Sequence, residues 1–113
     1  MDLLINTNEL DFETTAHGAG CKKVLIKSSD SPTTLTQFAY GKLFPGDKIP
    51  EHSHNTMEEI FYFLKGDGIY TVDNKDLPVL PNIMIRIPAR VPHSLRAGAN
   101  NTLEFLYFGI EVT

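Results

Sequence analysis

The chain has 113 residues, of which 42% are hydrophobic and 21% charged, with a formal net charge of −4. This is enough to bury one core but leaves no room for a second, so a single domain over 1–113 is expected. The ten basic residues are scattered, which excludes the basic stripe of a nucleic-acid-binding surface. The opening Met1-Asp2-Leu3-Leu4-Ile5-Asn6 has neither a cationic leader nor a membrane-length apolar run, so a cytoplasmic protein with no membrane partner is expected. Cys21 is the one cysteine and can form no intrachain disulfide; a reduced, small side chain is its expected role.

In chain order, the sequence predicts strands at 22–27, 34–44, 58–65, 68–73, 83–87, 92–97 and 102–112, with a short one at 2–5. Between them lie turn-forming runs such as Ser28–Pro32, Phe44–Asp47, Lys65–Gly68, Asp73–Asp76, Leu80–Asn82 and Gly98–Asn101. No segment keeps a 3.6-residue period over three turns, so the fold class is all-β. Strand alternation then sorts side chains by face. In 34–44, Tyr40 and Lys42 share one face and Gln37 takes the other. In 58–65, Glu59, Phe61 and Phe63 share a face, while Ile60, Tyr62 and Leu64 make a second apolar face that the N-terminal segment or a second subunit has to cover; a homodimer is expected. Ile83, Ile85 and Ile87 are assigned to the core, with Arg86 on the outer side.

The stretch from Gly46 to Gly66 holds two of the four histidines. On a strand His52 and His54 point to one face and offer two imidazole nitrogens to one ion; a carboxylate follows a few residues on, and His93 stands in Pro88-Ala89-Arg90-Val91-Pro92-His93. Three imidazoles and one carboxylate suit Mn, Fe, Ni, Co or Zn and leave positions open for water or substrate. His17 matches no pattern and is read as an ordinary polar residue.

The stretch resembles the first motif of the cupin superfamily, Gly-x5-His-x-His-x4-Glu-x6-Gly, with Gly46, His52, His54, Glu59 and Gly66 at every fixed position. The second motif, Gly-x5-Pro-x-Gly-x2-His-x3-Asn, is matched at Pro88 and His93, while Asn82 and Arg90 replace its glycines and Ala97 its asparagine. The resemblance implies a double-stranded β-helix, the cupin jelly-roll barrel, holding one divalent metal through His52, His54, Glu59 and His93. Glu59 is preferred to Glu58 because it directly precedes the apolar strand and lies seven residues before Gly66, as in the family; a one-residue bulge would exchange them.

Around such a metal, Phe61 and Phe63 are the candidates for a small apolar lining, and Arg90, at the turn before His93, for clamping an anion. Proton chemistry has three candidates, Tyr40, Lys42 and Glu58. The expected function is a metalloenzyme acting on a small oxygen-rich molecule (a sugar, sugar acid or other carbonyl compound) by isomerase, lyase or dioxygenase chemistry. The alternative is a barrel that binds a sugar or anion as sensor or carrier without turnover.

Overall fold

The computed structural model describes residues 1–112. Its strands are β1 (Glu13–Thr14), β2 (Cys21–Lys27), β3 (Leu35–Leu43), β4 (Lys48–His52), β5 (Met57–Lys65), β6 (Gly68–Val72), β7 (Lys75–Val79), β8 (Met84–Ile87), β9 (His93–Ala97) and β10 (Leu103–Glu111). They form two antiparallel sheets, one of six strands in the order β1-β2-β3-β10-β5-β8 and one of four in the order β4-β9-β6-β7. Only two short 3-10 turns, at Thr7–Glu9 and Ser28–Asp30, interrupt the β structure of the described residues.

The inner faces carry the core. Leu43, Phe61, Phe63, Ile85, Ile87, Leu103 and Phe105 from the larger sheet meet Tyr70, Val79, Leu95 and Ala97 from the smaller one. Aromatic rings dominate this interface: Phe61 stacks on Tyr107 with centroids 5.1 Å apart and meets Tyr70 edge-on at 5.2 Å. Such offset and edge-to-face pairs add about 0.5–1.5 kcal/mol each beyond their burial.

Several sequence expectations need correcting. No strand forms at 2–5; the first is Glu13–Thr14, paired with β2. Ile83 is 39% exposed, because it sits in the turn before β8, where its carbonyl accepts from Phe63 N–H, rather than in the strand itself. Two strands that the sequence hid, β4 and β7, each contain a proline, Pro50 and Pro78. Both are edges of the four-stranded sheet, where a residue lacking an N–H breaks no ladder on its open side. Asp73 and Asn74 join β6 to β7 with φ of 49° and 64°, the left-handed pair that a two-residue hairpin needs.

Candidate metal centre

His52 closes β4, His93 opens β9, and the two are register partners. Glu59 lies on the inner face of β5 between Ile87 and Gly109, and His54 follows β4 in a short connection whose backbone is held by Arg90 N–H donating to His54 C=O at 2.6 Å. Each of the four residues offers one donor atom, and these atoms lie within 4.8 Å of one another, so the cluster can hold a metal ion.

Hydrogen bonds fix which ring nitrogens face inward. His52 Nδ1 is 2.8 Å from the Pro50 carbonyl and His93 Nδ1 is 2.8 Å from that of Val91. A carbonyl can only accept, so each Nδ1 carries the proton and each Nε2 keeps a free lone pair, the tautomer that a metal requires. The Nε2 atoms of His54 and His93 approach Glu59 Oε1 at 3.1 and 3.3 Å, yet neither contact has hydrogen-bond geometry, and both nitrogens are buried without a partner. Orphaned buried nitrogens are rare because each costs about 1–3 kcal/mol. A cation among them satisfies both and balances the carboxylate.

The electrostatics point the same way. Burial alone would push the Glu59 carboxyl up, but the positive charge that the rings of His93, His54 and His52 carry when protonated, in the acid range where a carboxyl titrates, outweighs it and holds the group below its ordinary value, hence ionised. His52 is lowered, chiefly by burial, which favours the neutral imidazole.

A cavity of about 190 Å³ opens beside the cluster. His52, His54, Glu59 and Phe61 border it, with Tyr70 from β6 in the facing sheet, Tyr107 from the neighbouring β10, and Lys22 and Gln37 from β2 and β3. Burial raises both phenols, so they stay neutral hydroxyls there. The sequence left His17 aside, but the structure places its ring 4.5 Å from that of His52 at the cavity edge. A tight turn carries it there: Gly18 N–H donates to Thr15 C=O at 3.1 Å and Thr15 Oγ1 to Ala19 C=O at 2.8 Å. Burial lowers the His17 imidazole.

The remaining candidates do not present their functional groups to the cluster, although Lys42 borders the cavity. Tyr40 donates to Glu104, and the Lys42 ammonium lies 5.1 Å from the Phe12 ring, both on the face of β3 opposite Ala39, Gly41 and Leu43. Glu58 points outward and pairs with Arg86 at 3.0 and 3.2 Å. Phe63 is wholly buried in the core away from the cavity, and Arg90 is an exposed turn residue outside the lining. Lys22, Tyr70 and Tyr107 are among the cavity residues that the sequence reading passed over, whereas alternation puts Gln37 on the face of its strand opposite Tyr40 and Lys42, and this was the available signal.

A curated relative, an uncharacterised protein of Methanocaldococcus jannaschii, is 39% identical over 61 residues, which is 54% of this chain and 49% of that protein. An oxalate-binding protein of Thermotoga maritima is 35% identical over 69 residues, 61% of this chain and 57% of that protein. The chain thus matches about half the length of these curated relatives. Among solved structures, a crystal structure described as a predicted oxalate decarboxylase from Thermotoga maritima superposes with a TM-score of 0.88 at 24% identity, covering 97% of this chain and all of that one, a likeness of fold. The family model for the cupin domain matches residues 40–109, which include the whole His52, His54, Glu59 and His93 cluster, and the chain belongs to the cupin family.

Proposed function

We propose that the chain is a metal-dependent enzyme, with one divalent ion held by Nε2 of His52, His54 and His93 and by the Glu59 carboxylate. The observation that carries this reading is the pair of buried, partnerless imidazole nitrogens converging on an ionised carboxylate at the wall of a cavity. When bound, such an ion supplies Lewis-acid polarisation of a substrate hydroxyl, carbonyl or carboxylate. The chain's own groups do the rest. Pro50 and Val91 carbonyls orient the ligand rings, Phe61 and its neighbours limit water, and the neutral phenols of Tyr70 and Tyr107 can donate hydrogen bonds to oxygens on a substrate.

The cavity is smaller than the roughly 300–1,000 Å³ pockets that take drug-sized ligands, which restricts the substrate to a small oxygen-rich molecule such as a sugar acid, oxoacid or diketone. Isomerase, lyase and dioxygenase chemistry are all open to this donor set. A non-catalytic carrier is the second reading, favoured by the similarity to a protein named for oxalate binding. Turnover of a panel of uronates, oxoacids and diketones by metal-loaded protein, absent after chelation and restored by metal, supports the enzyme. Saturable binding of a panel member with no turnover under any metal replaces it with the carrier.

We also propose a homodimer formed by the outer face of the six-stranded sheet. Tyr62, Leu64 and Met84 are 40%, 37% and 59% exposed on that face. Beside them the Glu58 carboxylate and the Arg86 guanidinium pair at 3.0 Å and neutralise each other, so this part of the face brings no unpaired charge to a second copy. A cytoplasmic location and a single domain over 1–113 complete the reading.

A further inference from the structure

We infer that Lys22, braced by Gln37, is an anion-binding arm of the cavity, and that the ligand is a small acid whose head chelates the metal while a second carboxylate reaches this ammonium. The inference deepens the metal-dependent reading above and rests on it.

Two lysines border the cavity. Lys42 is occupied on the outer face, its ammonium over the rings of Phe12 and Tyr40. Lys22 is different. It is the register partner of Gly41, whose face of β3 is the buried one, and its Nζ donates to Gln37 Oε1 at 3.1 Å. An ammonium has three N–H donors and no acceptor. One donor is used by Gln37, and among the described residues no carboxylate stands within ion-pair distance; Glu13, its register partner on β1, does not reach it.

Because the ammonium can only donate, it also fixes the Gln37 amide: Oε1 faces Lys22, and the amide N–H₂ is left to donate. The two side chains together leave two ammonium N–H and the amide N–H₂ free to donate, with the amide oxygen already engaged by the ammonium, and such a cluster of donors around a positive charge is the chemistry of an oxyanion site. The other pole of the cavity is the His52, His54, Glu59 and His93 cluster, and apolar side chains including Leu43, Ile49 and Phe61 lie in the walls. A neutral sugar needs acceptors as well as donors along its length, whereas a diacid needs a metal at one end and fixed donors at the other.

The test uses Co²⁺-loaded protein titrated calorimetrically with malate and with 2-hydroxybutyrate. Both have the same hydroxy-acid head, and only malate carries a tail carboxylate. Wild type is expected to bind malate about tenfold or more tighter, the size of a charge-assisted hydrogen bond. Lys22→Met is expected to erase that preference while leaving Co²⁺ and 2-hydroxybutyrate binding unchanged; Lys22→Arg keeps it, and Gln37→Leu weakens malate alone. Should Lys22→Met fail to fold, Lys22→Gln serves in its place. A malate preference that survives loss of the ammonium overturns the inference, as does a wild type that shows no preference. Co²⁺ binding with neither acid bound overturns it while leaving the metal reading standing, and failure to bind Co²⁺ removes both.

Discussion

His93 is 1% exposed, whereas the His54 side chain retains 30% exposure, and that difference decides which of them to mutate. Removing the His93 ring leaves a hole in the core and mixes metal loss with structural loss. His54→Ala is expected to abolish stoichiometric metal binding and turnover while changing stability by no more than about 1 kcal/mol, read by calorimetric metal titration and a denaturant melt. Full metal binding by that variant would remove His54 from the site.

Arg90 tests a different point. It stands where the cupin motif has glycine, with φ of 68°, and Asn82, at the other replaced glycine, has φ of 72°. Asn tolerates the left-handed region, but an arginine there is strained by about 1–2 kcal/mol. Arg90→Gly is therefore expected to raise stability by about 1 kcal/mol, and a lower melting midpoint would contradict this. At this scale the sequence was legible wherever ligands lay in one stretch with a fixed spacing, as His52, His54 and Glu59 do. Lys22, Tyr70 and Tyr107 carry no local signal, because only the closing of two sheets brings them to one cavity.

The seven longer or more apolar strands follow from alternation and turn chemistry, and each has its counterpart in the sheets. β4 and β7 escaped because proline, which argues against a strand in general, is admissible on an edge, and edges are a property of the sheet rather than of the segment. The N-terminal segment misled in the other direction. Its Leu3 and Leu4 look like a strand but are fully or largely exposed, while Phe12, between the ammonium groups of Lys23 and Lys42 at 4.7 and 5.1 Å, holds the segment against β2 and β3. The turn after it brings His17 to the cavity and depends on Gly20, at φ of 64°, where a Cβ would collide with the Lys42 carbonyl. Gly46 has φ of 78° but open space around it. Gly20→Ala is expected to destabilise by about 2 kcal/mol or more, through backbone clash as well as φ, and Gly46→Ala by only about 1 kcal/mol. Equal losses in chemical denaturation would show that the turn yields and does not constrain His17.

Taken whole, the molecule joins its metal cluster to a core that needs no metal to form. His52, Glu59 and His93 belong to three different strands, and Phe61, Phe63, Tyr70, Leu95, Leu103 and Phe105 already hold those strands together. Chelated protein is expected to keep a cooperative melt and its β-sheet circular dichroism, with added metal raising the midpoint in proportion to its binding. Loss of the cooperative transition on chelation would make the ion structural. Sequence patterning settled the all-β class because alternation and turns recur along the whole chain; it could not describe the cavity, whose shape depends on how side chains from distant strands meet.

Anomalous diffraction from crystals soaked in Mn²⁺ or Co²⁺ locates the ion directly. One strong peak per chain is expected, about 2.0–2.2 Å from Nε2 of His52, His54 and His93 and from a Glu59 carboxylate oxygen. A fully occupied peak elsewhere, or one from which any two of these residues are turned away, would contradict the metal centre.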